Sequence, residues 1–175
     1  MTGLLAGIAA VALPLVLLGS VFGQVRRPGV LVSAVRAQGV VPHALAGPAA
    51  VAAIAAEAAV GLVGAAALVL GLDGAMRAAS GAAAVLLGLY AVYAAHVART
   101  RRGVPCGCAG ADTPMTGWVA GRAAALAVLA LAGAVRGLPT DLSAYEASVA
   151  GTAGLGFAVI LWTLPHAMIE RRSAG

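Results

Sequence analysis

The two cysteines of this chain lie one residue apart, in the segment Cys106-Gly107-Cys108. A disulfide between them closes a small, bent ring, and Gly107 has the backbone freedom that such a ring needs. Strained disulfides are easily reduced, which suits thiol–disulfide exchange. Arg101 and Arg102 precede the pair and a helix start follows it, and both features favour thiolate over thiol. The segment therefore predicts a redox pair within one loop.

Two other interpretations of these cysteines stay open. In the first, they are reduced and inert loop residues. In the second, their thiolates bind a metal together with His96, which lies ten residues before Cys106. The usual zinc spacing has a second Cys/His pair, and the segment lacks one. The sequence thus favours redox chemistry and predicts no metal site.

Two ionisable residues lie inside apolar segments, Glu57 in the second and Arg122 in the fourth. Such a group is costly in a membrane unless it is paired or faces a cavity. At 1.5 Å per helical residue, Glu57 lies roughly 18 Å below the cysteine loop and Arg122 roughly 9 Å below it. A long arginine side chain closes much of the difference in depth between the two residues. We predict that both support the cysteine pair. A purely structural pair is the alternative.

Tyr90, Tyr93 and His96 recur every three residues, so they share one helix face that leads toward the cysteines. Tyr90 and Tyr93 are the predicted contacts of a quinone if the protein uses one; otherwise they anchor the helix near the membrane interface. No cofactor is required by any motif. The chain has no phosphate loop, dinucleotide fingerprint, HExxH motif or nucleophile elbow, which argues against most soluble enzyme classes.

The composition is that of a membrane protein. Hydrophobic residues make up 62% of the chain and charged residues 10%, whereas soluble domains have about 25% charged residues. The chain has eleven arginines and no lysine, and all the arginines but Arg122 lie beside apolar runs. The net charge of +5 therefore indicates membrane topology rather than nucleic-acid binding. The expected partner of the surface is the lipid bilayer.

A spanning helix needs roughly 20 mostly apolar residues. Five segments meet that length: 4–23, 45–72, 75–97, 116–135 and 148–169. The first lacks a basic region before it and has arginines after it, which favours a retained anchor over a cleaved signal peptide. We therefore predict an all-α fold with a single integral membrane domain over residues 1–175. It is a four-helix transmembrane bundle with a fifth transmembrane helix at residues 148–170.

The arginines predict the orientation of this bundle in the cell membrane. Eight of the eleven flank one side, and the other side has Arg77 and Arg136. The positive-inside rule then places the amino terminus outside and the loop of Cys106 and Cys108 in the cytoplasm. Disulfides, however, form outside the cytosol. Either the protein passes reducing equivalents from the cytosolic face, or the charge rule fails for this chain.

Several motifs resemble those of the MauE family of methylamine utilisation proteins, membrane proteins related to the DoxX-like group. The matching residues are Gly19-Ser20-Val21-Phe22, Pro42, Glu57, Arg102-Gly103, Cys106-Gly107-Cys108-Ala109-Gly110, Trp118 and Arg122. Two positions depart from the family pattern: Ala109 replaces a phenylalanine, and Gln24 stands where a lysine is common.

The resemblance covers residues 4–135 and implies a four-helix bundle, with the fifth span outside the family core. It implies a role in methylamine utilisation, in which a thioredoxin-like partner makes the disulfides of a secreted or periplasmic protein such as methylamine dehydrogenase. A quinone-linked thiol oxidoreductase, similar to the DsbB and vitamin K epoxide reductase bundles, is one alternative, with Tyr90 and Arg122 near the quinone ring. A non-catalytic membrane scaffold or chaperone is another.

Overall fold

The chain is helical through most of the residues that the structure, a computed structural model, describes. These residues are 2–27, 29–101, 103–107, 114–138 and 143–173. They form six α-helices: α1 (Thr2–Arg26), α2 (Val30–Gln38), α3 (Ala46–Leu70), α4 (Asp73–Thr100), α5 (Gly117–Arg136) and α6 (Ala144–Ser173). One 3₁₀ turn, His43–Leu45, leads into α3. The described part has no β-strand, so the predicted all-α fold is confirmed.

Four helices are long and apolar enough to cross a membrane: Ala6–Arg26, His43–Leu70, Asp73–Thr100 and Gly117–Arg136. The predicted spans agree with these helices to within three residues, because a long apolar run leaves no other way to satisfy its backbone in lipid. The predicted fifth span lies within α6, whose described apolar stretch is the shorter Ser148–Ile160. The chain is therefore a multi-pass membrane protein.

The bundle has small side chains inside and large ones outside. Ala9, Ala83 and Ala130 are at most 1% exposed, whereas Val69 and Val85 are 83% and 66% exposed. In water, so much exposed apolar surface would promote aggregation. In a bilayer, lipid tails cover the large side chains and the small ones let the helices approach closely. The burial pattern thus agrees with the composition.

The helices alternate in direction, which brings one set of helix ends together around the cysteine loop. We call this set the cysteine end; it has the last turn of α1, all of α2, the start of α3, the last turn of α4 and the start of α5. At the opposite end, α3 turns into α4 through Gly71, whose φ is +64°. Cys106 therefore lies at one end of the bundle, beside most of the arginines in the part of the chain that the structure describes.

An ion pair fastens the opposite end. Arg77 Nε donates to Asp73 Oδ2 at 2.8 Å, and its two terminal nitrogens donate to the carbonyls of Val135 and Arg136 at 2.8 and 2.9 Å. The N–H of Leu138 donates to Asp73 Oδ1 at 2.7 Å. The start of α4 thereby satisfies carbonyl groups at the end of α5, which a helix cannot satisfy by itself.

Helix α6 runs parallel to α1 and lies directly against it. A Cβ atom at Gly154 would lie 3.0 Å from Cβ of Val11 and 3.1 Å from the carbonyl oxygen of Ile8. The missing side chain lets the two backbones approach, as in other close membrane-helix pairs. The helix outside the predicted core thus packs on the first helix of the bundle.

Helix α2 has no counterpart in the predicted elements, which left its residues in a basic loop. Gly29 and Gly39 bracket it with φ values of +92° and +64°. Ala34 and Gln38 are buried on its inner face, and Arg36 is exposed on its outer face. A short amphipathic helix of this kind suits a membrane surface. Here it covers the cysteine end of the bundle.

Candidate functional site at the cysteine end

The cysteine loop begins and ends in a short antiparallel pairing. The N–H of Met115 donates to the carbonyl of Val104 at 2.8 Å, and Pro105 and Pro114 form an isolated bridge. The pairing brings the chain back on itself directly after α4 and before α5. The loop therefore has a fixed base, set by the same two helices that carry Tyr90, Tyr93 and Arg122.

Cys106 lies inside the protein, although it belongs to a loop. Its side chain is 4% exposed and packs in a cluster with Ala94, Val97, Met115 and Ala120. It is disulfide-bonded in the structure. Cys108 is the only other cysteine of the chain, and it lies outside the described residues. The buried position of Cys106 was not expected from its glycine-rich surroundings.

Gln38 of α2 holds the base of the loop. This side chain is 1% exposed, and its Nε2 donates to the carbonyl oxygens of Pro105 at 2.8 Å and Cys106 at 3.5 Å. Its Oε1 accepts a 2.6 Å hydrogen bond from the hydroxyl of Tyr93. One amide thus connects α2, the cysteine loop and α4, and it leaves none of its own polar atoms unsatisfied.

Gly107 lies directly under α2. Its φ is +79°, a conformation that other residues adopt at a cost. A Cβ at this position would lie 2.6 Å from Cβ of Ala34 and 3.3 Å from Cδ1 of Leu31, which is closer than side-chain carbons pack. The central glycine of the cysteine segment is therefore required twice, for its backbone conformation and for its contact with α2.

Glu57 lies in a second polar group, deeper in the bundle. The residue is 4% exposed, and its carboxyl accepts a hydrogen bond from Nε2 of Gln24 at 3.2 Å. The same nitrogen donates to Oγ of Ser20 at 2.9 Å. The side chains of Ser20, Tyr90 and Gln24 face the carboxyl. We call these four residues (Ser20, Gln24, Glu57 and Tyr90) the Glu57 cluster.

Two of the candidate residues from the sequence, Arg122 and His96, lie outside the Glu57 cluster. Arg122 is half-buried on α5 and makes an interaction of its own, but it is not among the groups that face Glu57. His96 is exposed. Among the described residues, no group of three metal-ligating side chains forms. A supporting role of Arg122 for the cysteines stays a prediction.

The two tyrosines belong to different polar groups. Tyr93 reaches the cysteine loop through Gln38, and Tyr90 lies against Glu57. Both are half-buried and lie one helical turn apart on α4, so they connect the two groups along one face, as their spacing predicts. Quinone binding by Tyr90 and Tyr93 stays a prediction.

Gln38 is the functional candidate that the sequence analysis missed. A signal for it exists: Leu31, Ala34, Val35 and Gln38 share the spacing of one helix face, and a glutamine in the apolar face of a short helix needs polar partners. Gln24 departs from the family pattern. Its contact with Glu57 comes from the packing of α1 on α3.

Comparisons with known proteins place the chain in a family. No curated protein and no solved structure matches it. A family model described as methylamine utilisation protein MauE matches residues 2–136, which include α1 to α5 and the cysteine loop and leave out α6. The chain is therefore a multi-pass membrane protein that belongs to the MauE family.

Proposed function

We propose that this MauE family protein supports thiol–disulfide exchange with a thioredoxin-like partner, during the maturation of a secreted or periplasmic protein such as methylamine dehydrogenase. The observation that carries the proposal is the disulfide-bonded Cys106, held in a loop that α2, α4 and α5 position at one face of the bundle. The reacting pair is Cys106 and Cys108, the only cysteines of the chain.

The burial of Cys106 decides which sulfur reacts first. A thiolate of the partner attacks Sγ of Cys108, since Cys106 is 4% exposed and covered by its cluster. A partner–Cys108 disulfide forms, the Cys106–Cys108 bond breaks, and Cys106 leaves as a thiolate. The partner's second thiolate then attacks the mixed disulfide and releases Cys108. The partner is oxidised by two electrons, the pair is reduced by two, and the two protons pass from the partner's thiols to the cysteines.

Positive charge near the loop favours this chemistry. Arg101 is exposed at the end of α4, and its guanidinium lies beside Gly39 at the end of α2. The amino-terminal end of α5, which begins at Gly117, adds the positive end of a helix dipole. Both favour thiolate over thiol and so speed exchange. The hydrogen bond from Gln38 to the carbonyl of Pro105 supports the base of the loop but touches neither sulfur.

Trapping of single-cysteine variants tests the proposal. In Cys106→Ala, Cys108 is the remaining thiol, and no second cysteine of the chain can release a bound partner. We expect this variant to form a covalent adduct with a thioredoxin-like protein, seen on non-reducing gels and identified by mass spectrometry. Cys108→Ala leaves the buried Cys106 and should give much less adduct. The variant without cysteines is the matched control.

The outcome of the trapping experiment distinguishes thiol–disulfide exchange from a scaffold role. If neither single-cysteine variant forms an adduct, and the wild-type pair keeps one redox state in cells with and without the partner, the proposal is wrong. Normal maturation of the secreted client in the variant without cysteines would identify the protein as a scaffold whose cysteines only brace the loop.

A further inference from the structure

The Glu57 cluster lies inside the bundle, and the exchange steps proposed above do not involve it; a supporting role of Glu57 for the cysteines stays a prediction. Its carboxyl comes from the middle of α3, and its other side chains come from α1 and α4. Glu57 and Gln24 are 4% and 7% exposed. A carboxylate in such a place is stabilised only by a cation or by several donated hydrogen bonds.

The groups around Glu57 are polar but uncharged. Ser20 and Gln24 of α1 and Tyr90 of α4 face the carboxyl, and no arginine is among them. Tyr90 is the one titratable group of the three. The arginines of the nearby helix ends, Arg26 and Arg36, are exposed. The described surroundings of Glu57 therefore suit a neutral carboxylic acid better than a carboxylate.

Two polar atoms of the cluster have no protein partner. They are Oε1 of Gln24 and the hydroxyl oxygen of Tyr90, both buried; the Tyr90 hydroxyl lies beside the Glu57 carboxyl but makes no hydrogen bond of good geometry with it. The amide of Gln24 can be turned by 180°, but then its nitrogen takes the position of Oε1 and is left without a partner instead. Buried polar groups in proteins are hydrogen-bonded, and where the protein has no partner for them, water is the usual one.

We propose that Ser20, Gln24, Glu57 and Tyr90 form a proton-binding site within the membrane, in which Glu57 holds a proton and water completes the hydrogen bonds of Gln24 and Tyr90. A protonated carboxyl can donate as well as accept. It therefore matches a cluster with one donated bond from Gln24 and two atoms that need partners. The site gives the protein a buried group that exchanges protons, independent of its cysteines.

Infrared difference spectroscopy of the purified full-length protein in lipid vesicles tests the site, because a protonated carboxylic acid has a carbonyl band separate from those of a carboxylate. At neutral pH we expect this band in the wild type and its loss in Glu57→Gln. Glu146→Gln is the matched control, since Glu146 is exposed; it should leave the band unchanged. Exchange into heavy water should shift the band, as expected for an acid in contact with water.

A second variant covers the case in which Glu57→Gln fails to fold. Tyr90→Phe removes one oxygen and keeps the ring, and we expect it to shift the band by changing the hydrogen bonds around the acid. A wild-type spectrum without the band, or a band that neither Glu57→Gln nor Tyr90→Phe alters, would overturn the proposal. The variant without cysteines should keep the band, so failure of the proton site and failure of the exchange function are separate results.

Discussion

The hydroxyl of Tyr93 donates a 2.6 Å hydrogen bond to Oε1 of Gln38, and this contact joins the core of the bundle to the helix that covers its cysteine end. The other end of the same amide donates to the carbonyl of Pro105 at 2.8 Å. A displacement of α2 therefore breaks bonds to α4 and to the cysteine loop together. We therefore expect Gln38 to limit access to the cysteine loop.

Replacing Gln38 with leucine should loosen the cysteine loop. The substitution keeps an apolar side chain of similar size but leaves the Tyr93 hydroxyl and the Pro105 carbonyl without their partner, which costs about 1–3 kcal/mol for a buried group. We expect faster reduction of the disulfide by a fixed concentration of dithiol, and faster alkylation of Cys106 afterwards. Both rates are measurable by mass spectrometry.

Arg36→Gln is the control for this experiment, because Arg36 lies on the exposed face of the same helix. It should react at the wild-type rate. Equal rates in Gln38→Leu and Arg36→Gln would show that α2 does not limit access to the loop.

The spanning helices could be predicted because each depends on one property, the length of an apolar run. Helix α2 could not be found in this way. The spacing of its inner face lies within only nine residues, which is too short to distinguish a helix from a loop by itself, and its stability comes from the packing of Ala34 and Gln38 on the loop and on α4. Tertiary contacts of this kind are not visible in a local sequence pattern.

The surroundings of Glu57 show a second limit on what a sequence can predict. Counting residues along a helix gives the depth of a side chain but not the direction in which it points around the axis. The alternative of a structural pair between Glu57 and Arg122 rests on depth alone, whereas the rotation of α1 brings Gln24 and Ser20 to the carboxyl. The sequence identified the buried acid, and only the packing of the helices identifies its neighbours.

The start of α6 should become less stable in acid. The backbone N–H and the hydroxyl of Ser143 donate to Oε2 of Glu146 at 3.0 and 2.9 Å, and these bonds hold the pKa of Glu146 below its ordinary value. A lowered carboxyl pKa adds stability above the pKa of the unfolded chain, and that stability is lost as pH falls through the folded pKa. Amide hydrogen exchange at Glu146, corrected for its intrinsic pH dependence, should accelerate below that point.

Ser143→Ala is the matched variant for the acid effect, because it removes the donated side-chain bond and leaves Glu146 in place. It should raise the exchange rate at neutral pH and weaken the dependence on acid. A pH profile identical to that of the wild type would mean that the Ser143–Glu146 contact does not stabilise this helix end.

Cysteine labelling in intact cells should decide which side of the membrane the loop faces. In a background without native cysteines, Ala37→Cys places a thiol on the exposed face of α2, and Tyr145→Cys places one at the opposite end, where Tyr145 is 76% exposed. The arginine distribution predicts that an impermeant maleimide labels Tyr145→Cys in intact cells and Ala37→Cys only after permeabilisation. The reverse pattern would place the cysteine loop outside, in the compartment where disulfides form.

The contact between Gly107 and Ala34 gives the sharpest test of α2 as a cover for the disulfide. Gly107→Ala destabilises the closed loop in two ways. The positive φ costs about 1–2 kcal/mol for a residue other than glycine, and the new methyl group clashes with Ala34. Gly103→Ala has the first cost alone, since Gly103 has a φ of +74° and no atom of the described residues lies within 4 Å of an added Cβ. A clash that adds about 1–2 kcal/mol changes the opening equilibrium of the cysteine loop roughly five- to thirtyfold. We therefore expect reduction of the disulfide to be faster in Gly107→Ala than in Gly103→Ala by a factor in that range.

The double variant Ala34→Gly with Gly107→Ala removes the methyl group that the new side chain meets. It should bring the reduction rate back toward that of Gly103→Ala, because the remaining contact, with Leu31, is the longer one at 3.3 Å, and a leucine side chain can turn away. Equal rates in Gly107→Ala and Gly103→Ala would mean that α2 moves freely over the loop. In that case the burial of Cys106 would depend on α4 and α5 alone, through its packing against Val97 and Ala120.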